Sequence, residues 1–222
     1  MTSRHRIKRL DFHANLSYHL SMKVKSLAIK KLTSLLNKNG GIITTAEANI
    51  IGISNERLRL FVKNGVLEHA AHGVYVSPDE LSDKMYILQK QRPKLIYSHD
   101  TALFLHGLTD RDPIDYSVTV PTGYNTKNLK KDGLTVFSIK SELYKTDIII
   151  RKTVFGHKVF VYGLERTICD CIRNRNQMDI AVVTQALKQY AKRRDKNLNL
   201  LMKIAKTFKI TKIMRRYMEV LL

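Results

Sequence analysis

GIITTAEANIIGISNERLRLFVKNGVLEHAAHGVYV, residues 41–76, is the stretch whose reading decides the fold. Its spacing predicts two short helices joined by a tight turn and followed by a β-ribbon, the pattern of a winged helix-turn-helix. Thr44 or Thr45 offers a hydroxyl to the unpaired amides at the start of a helix over Ala46 to Ile51. Gly52 makes the turn, since glycine tolerates positive φ, and small Ala48 lets the two helices approach. Ser54 caps the second helix, whose 3.6-residue repeat sets Leu58, Phe61 and Val62 against Glu56, Arg59, Leu60 and Lys63. Ala48, Ile51, Gly52, Ile53, Leu58 and Phe61 occupy the spacings a helix-turn-helix needs, whereas Glu47 stands where an apolar residue is more usual. Gly65 ends the second helix. VLEHA and VYVS then flank Ala71, His72 and Gly73 as two antiparallel strands joined by a tight turn.

The free face of the second helix carries Asn55, Arg57, Arg59 and Lys63, whose amide and guanidinium donors suit base edges and phosphates. Leu60 on that face either contacts a thymine methyl or packs against the ribbon. A winged helix can equally serve as a protein-docking module, so fold alone does not decide function.

The 222 residues exceed the usual size of one domain, about 100 to 150 residues, and predict two. The formal charge of +20 sits at the ends of the chain. Residues 1–31 carry a net +7, residues 186–222 a net +9, and the stretch between them only +4. Such a field favours a polyanion, by attraction and by release of condensed counterions. Cys169 and Cys171 lie two residues apart, diverge on a helix and fall short of a zinc site, which predicts ordinary buried thiols. With no apolar run of signal or transmembrane length, a cytoplasmic protein with no membrane contact is expected.

Three segments follow: a basic arm over 1–23, a winged helix-turn-helix DNA-binding domain over 24–77, and an α/β domain over 78–222. The fold class is thus α+β, an N-terminal winged helix-turn-helix followed by a mixed α/β domain that ends in a helical cap. Leu27, Ile29, Leu32, Leu35 and Leu36 predict a first helix packed beneath the helix-turn-helix pair. Ser77, Pro78 and Glu80 read as a capping box opening a connector helix that Pro93 stops. LIYS, YSVTVP, LTVFSI, DIIIRKTVF and KVFVYG predict strands of a mixed sheet, with Ser98 capping the helix HDTALFLHG. From Leu164 onward the chain reads as helix throughout.

Asp110, Asp112 and Asp115 form the best acidic cluster for metal-dependent chemistry, although Pro113 and the loop setting suit a turn. His99 and His106 read as the polar stripe of one helix. No phosphate-cradling loop, zinc-protease motif or nucleophile elbow is present. No cofactor, metal or catalysis is therefore expected.

In order along the chain, the 41–76 module, SHDTALFLHGLTD, YSVTVP and the YGLERTICDCIR run into terminal helices resemble the AbiEi antitoxins of the type IV AbiE abortive-infection toxin-antitoxin systems. The resemblance begins near Ser26. It implies an autorepressor binding double-stranded DNA at inverted repeats in its operon promoter, through Thr45, Ser54, Asn55, Arg57, Arg59, Lys63 and, at the tip of the wing, His72. The tip departs from a commoner pattern with arginine. The resemblance also implies a C-terminal domain that antagonises a nucleotidyltransferase toxin in phage defence without a stable complex. Candidates for that antitoxin surface are Lys188, Lys192, Arg193, Arg194, Lys203, Lys206, Lys209, Lys212, Arg215 and Arg216. The alternative is a winged-helix protein fused to a metal-dependent nuclease or nucleotidyltransferase domain, for which Asp110, Asp112 and Asp115 speak.

Overall fold

A computed structural model describes residues 27–221, and packing divides the chain into two compact units, with the division between Gln91 and Arg92. The architecture is mixed α+β with a helical C-terminus. The arm over 1–23 lies outside the described residues.

In the first unit, helix α1 is described over 27–38. It is followed by β1 (Ile42–Thr44), α2 (Thr45–Ile50), α3 (Asn55–Lys63), β2 (Glu68–Ala71), β3 (Val74–Val76) and α4 (Lys84–Gln91). The strands form an antiparallel sheet in the order β1-β3-β2. Ala28 and Leu32 of α1 pack with Ile43, Ala48, Ile53, Leu58 and Phe61, which places α1 against α2 and α3 as their apolar spacing predicts. Leu27 and Ile29, counted with that apolar set, are instead exposed. Between α2 and α3, Gly52 adopts φ +81°, and Ala48 is fully buried at the crossing.

The start of α2 explains Glu47. Thr44, not Thr45, is the N-cap; its hydroxyl accepts from the Glu47 amide at 3.2 Å, and the Glu47 carboxylate accepts from the Thr44 amide at 2.8 Å. Lys90 of α4 makes an ion pair with the same carboxylate. Burial raises the pKa of Glu47, but the hydrogen bonds and charge from Lys90 and Thr44 outweigh it and leave the group below its ordinary value. The capping box thus lies at Thr44, and the one expected at Ser77 is absent. There the Ser77 amide donates to the Gly41 carbonyl and the Glu80 amide to the Ser77 carbonyl, so the chain turns. Asp83 opens α4 instead, its carboxylate accepting from the Tyr86 amide at 3.1 Å. Ile87 of α4 packs with Ile42, Val74 and Val76, so the first unit continues past Ser77 to Gln91.

The second unit begins with β4 (Ile96–Tyr97), α5 (His99–Leu105), β5 (Ser117–Pro121), α6 (Lys127–Lys131), β6 (Thr135–Ile139) and α7 (Ser141–Tyr144). The hairpin β7 (Ile148–Lys152) and β8 (Lys158–Tyr162) leads into α8 (Leu164–Arg173), a 3-10 turn (Arg175–Gln177), α9 (Ile180–Lys192), α10 (Leu198–Thr207) and α11 (Thr211–Leu221). The sheet is mixed, in the order β6-β5-β4-β8-β7, with β5/β6 and β4/β8 parallel and the other pairs antiparallel. Ile168, Ile172, Val183, Leu187, Leu201 and Met214 carry the core from α8 into the three terminal helices. Cys169 and Cys171 are free thiols inside it, as their spacing predicts.

The histidines expected on a polar stripe are both buried. Asn174 Nδ2 donates to His99 Nε2 at 2.9 Å, which leaves His99 Nδ1 to donate to Ser98 Oγ at 2.9 Å. Ser98 Oγ also accepts from Thr119 Oγ1, so this serine joins a core network and makes no side-chain cap on α5. The His99 ring stacks on Phe137 at 3.4 Å. His106 Nε2 donates to the Tyr162 carbonyl at 2.8 Å. Burial holds His99 neutral, with its pKa pushed down to about 3. Burial likewise lowers His106 to about 4, against its hydrogen bond to Tyr162.

A histidine whose folded pKa lies below its unfolded value makes the unfolded chain bind more protons, so its contribution to stability is present above about pH 6.5 and is lost on acidification. Asp100 and Asp170, whose pKa values burial raises, act with the opposite sign, so the measurement must be a difference between variants. The expected outcome is that the melting temperature of His106→Gln depends less on pH between about 6.5 and 4.5 than that of the wild type. Equal slopes would show that His106 does not titrate on unfolding. Arg166→Ala is expected to destabilise by about 3 to 5 kcal/mol in urea denaturation, because Asp170 would remain buried without its cation. Arg166→Ala combined with Asp170→Ala should cost less than Arg166→Ala alone.

Candidate nucleic-acid interface

A cleft of about 550 Å³ opens between α3 and the β2–β3 ribbon. Thr45, Asn55, Arg59, Val62, His69, His72, Gly73 and Tyr75 line it. One hundred degrees of rotation per residue puts Asn55, Arg59 and Val62 in one row along the helix, and that row faces the ribbon. Lys63 continues the exposed face beside Arg59. Arg57 projects from the opposite flank, half-buried, and does not line the cleft. The structure therefore brings Asn55, Arg59 and His72 together and separates Arg57 from them.

Two of the expected contacts already have local work. Ser54 is exposed, and its hydroxyl accepts from the Arg57 amide at 3.3 Å as the N-cap of α3. Thr45 donates its amide to the Gly73 carbonyl at 2.9 Å and its hydroxyl to the same oxygen at 3.4 Å. That contact joins α2 to the turn of the ribbon and fixes where His72 stands. His72 and Gly73 form the turn between the strands, and Gly73 adopts φ +71°. Leu60 is 52% exposed and does not line the cleft.

The sequence reading missed two features of this surface. His69 on β2 joins the cleft and meets its cross-strand partner Tyr75 edge to face at 5.4 Å. Lys30, Lys31 and Lys38 of α1 line a shallow depression with Ile51, and Lys31 Nζ donates to the Ile51 carbonyl at 3.4 Å. A lysine there complements the negative end of α2. These lysines were legible as charges, while only the apolar spacing of α1 entered the reading.

The C-terminal cations are divided among three helices. Lys188 of α9 and Arg216 of α11 face each other across a groove of about 470 Å³ floored by Leu187, Ile213 and Tyr217. Lys192, Arg194, Lys203, Lys206, Lys209, Lys212 and Arg215 are exposed elsewhere on these helices and their connections. Arg193 is half-buried and already has partners within the second unit. It pairs with Asp195 through Nε and Nη2 at 2.8 and 2.7 Å and donates Nη1 to the His106 carbonyl at 3.0 Å.

Asp112 and Asp115 line a cleft with Asp100 and Asp179, where Arg111 Nη1 pairs with Asp179 at 3.3 Å. Asp110 does not line it. Among the described residues, no group of three or more histidine, cysteine, aspartate or glutamate side chains is arranged to hold a metal ion. No described helix is long and apolar enough to cross a membrane.

No curated protein matches the chain. In fold it is similar to the RV2827C protein from Mycobacterium tuberculosis, with a TM-score of 0.53 over 81% of this chain and 71% of that one, at 12% identity. Residues 30–78, which hold most of α1, the α2–α3 pair and the ribbon, match the family described as "Transcriptional regulator, AbiEi antitoxin". That match lies within the first unit.

Proposed function

We propose that the first unit is a winged helix-turn-helix that binds double-stranded DNA at inverted repeats in its own operon promoter and represses it. The observation that carries this reading is the cleft, where Asn55 and Arg59 on α3 stand beside His72 at the turn of the ribbon. A helix offers its exposed donors to base edges when it enters the major groove, which is about 12 Å wide, and an adjoining ribbon then reaches the backbone. Asn55 and Arg59 have side chains suited to adenine and guanine edges, and Lys63 suits phosphate. Arg57, on the far flank, suits the opposite phosphate strand rather than a base. The second unit is the antitoxin part. In this reading it antagonises a nucleotidyltransferase toxin of phage abortive infection without a stable complex, in a cytoplasmic protein that needs no cofactor and performs no catalysis.

In fluorescence anisotropy with the promoter fragment, Arg59→Ala is expected to cost about 1 to 3 kcal/mol of specific affinity. Undiminished binding by the Asn55→Ala, Arg59→Ala, Lys63→Ala triple variant would remove α3 from the interface. If about six phosphates are neutralised, log affinity falls against log salt with a slope near −5, and a slope shallower than about −2 would sink the electrostatic part of the reading. The same triple variant separates the two roles within the full chain. It should derepress a promoter reporter and still protect cells expressing the toxin, whereas loss of both would mean that the roles are not divided.

A further inference from the structure

We propose that the β7–β8 ribbon of the second unit is a binding surface for single-stranded RNA. The ribbon belongs to the second unit and the cleft read as the DNA site to the first, so the proposal does not depend on that reading. Pairing in the ribbon sets Ile150 opposite Phe160 and Lys152 opposite Lys158, and strand alternation puts all four on one face. Ile150 is 56% exposed and Phe160 44%. The connection between the strands adds Val154 at 78% and Phe155 at 48% exposure. Apolar side chains of this size, gathered on one ribbon, mark a contact surface.

The charges say what the contact is made with. Like charges directly opposite on neighbouring strands destabilise a sheet, and opposed side chains begin only about 5 Å apart. Lys152 and Lys158 are such a pair, and no ion pair relieves either of them among the described residues. From Ile148 to Leu164 the chain holds no acidic residue. An anion between the two ammonium groups removes the repulsion.

A phosphate beside exposed aromatic and aliphatic faces is the chemistry of a single strand. Its unstacked bases lie on aromatic side chains while its backbone follows the cations. A duplex hides its base faces and offers nothing to Phe160 or Ile150. RNA is the occupant because loops, bulges and ends present unstacked bases as part of its ordinary folding. Lys152 and Lys158 thus hold one or two phosphates, and Phe160 receives a base.

The test uses the full chain with a labelled ten-nucleotide RNA of mixed sequence, a DNA of the same sequence, and phosphatidylcholine vesicles containing phosphatidylglycerol. Phe160→Ala is expected to weaken RNA binding about tenfold. Lys152→Gln with Lys158→Gln should do the same and make the log-log salt slope shallower by about 1.4, the value for two phosphates of a single strand. Lys203→Gln with Lys206→Gln on α10 removes equal charge and is expected to change affinity less than threefold. Circular dichroism and melting temperature show that the variants remain folded, and the two exposed lysine pairs keep the test decisive should Phe160→Ala not fold. Absence of RNA binding, tighter binding to DNA than to RNA, equal effects of the two lysine pairs, or vesicle binding that requires Phe160 and is not displaced by RNA would each overturn the proposal.

Discussion

A helix buried on every side that still carries Glu165, Arg166 and Asp170 is the constraint around which the second unit is built. Charges this far from water persist only when paired and hydrogen-bonded. Arg166 meets the requirement by donating Nε to Asp170 at 2.8 Å and Nη1 to the Leu143 carbonyl at 2.8 Å, with the rings of Tyr162 and Phe208 each 4.2 Å from its guanidinium carbon. Glu165 accepts from the Asn197 amide at 2.7 Å and the Tyr190 hydroxyl at 3.4 Å, which holds the start of α10 and the end of α9. One turn of helix therefore binds the α7 end, β8, α9 and α10 to a single geometry. The approach to it is equally confined. A Cβ at Gly163, the N-cap of α8, would lie 2.2 Å from Asp147 Oδ2, so any larger residue there would have to displace the Asp147 side chain.

The first unit meets a similar demand at smaller scale. Glu47 sits at a position that helix-turn-helix spacing assigns to an apolar residue, yet its carboxylate accepts from the Thr44 amide and hydroxyl and pairs with Lys90. The outcome is a short α2 held at its start and tied to α4, with Thr45 tied in turn to the ribbon. Short helices have little stability of their own, so a cleft between α3 and the ribbon keeps its shape only because such contacts fix both walls.

How much was legible in the sequence follows from how local each determinant is. The α2–α3 pair, the ribbon and the order of terminal helices were readable, because apolar periodicity, Gly52 and the Ser54 cap are written within a few residues. The start of α4 was misplaced, because Ser77, Pro78 and Glu80 satisfy the local rule for a cap while Gly41, distant in sequence, takes the Ser77 amide. His99 and His106 were read as surface for a related reason. Their partners, Asn174 and Tyr162, lie far along the chain, and a polar residue with a distant partner looks the same in sequence as one facing water. At the cleft, residue types were legible but direction was not. Arg57 and Arg59 are two residues apart on a helix and so point to different flanks.

Net charge is a similarly blunt guide to recognition, since it does not distinguish cations that are spent from those that are available. Arg166 is spent in the core, Lys90 on Glu47, Arg92 on Asp132 and Arg193 on Asp195. Arg193 belongs by sequence to the dense C-terminal cluster and is spent, whereas Lys152 and Lys158, in the near-neutral middle of the chain, have no ion pair among the described residues. A cation contributes to binding when it is unpaired and stands beside a surface that the same ligand can cover. In the two readings proposed here, Arg59 beside the ribbon and Lys152 beside Phe160 are the cations that meet both conditions, on surfaces of different chemistry. The first is a helix row of directional donors that suits the edges of stacked bases. The second is an apolar face with two flanking ammonium groups, which suits bases that have left the stack.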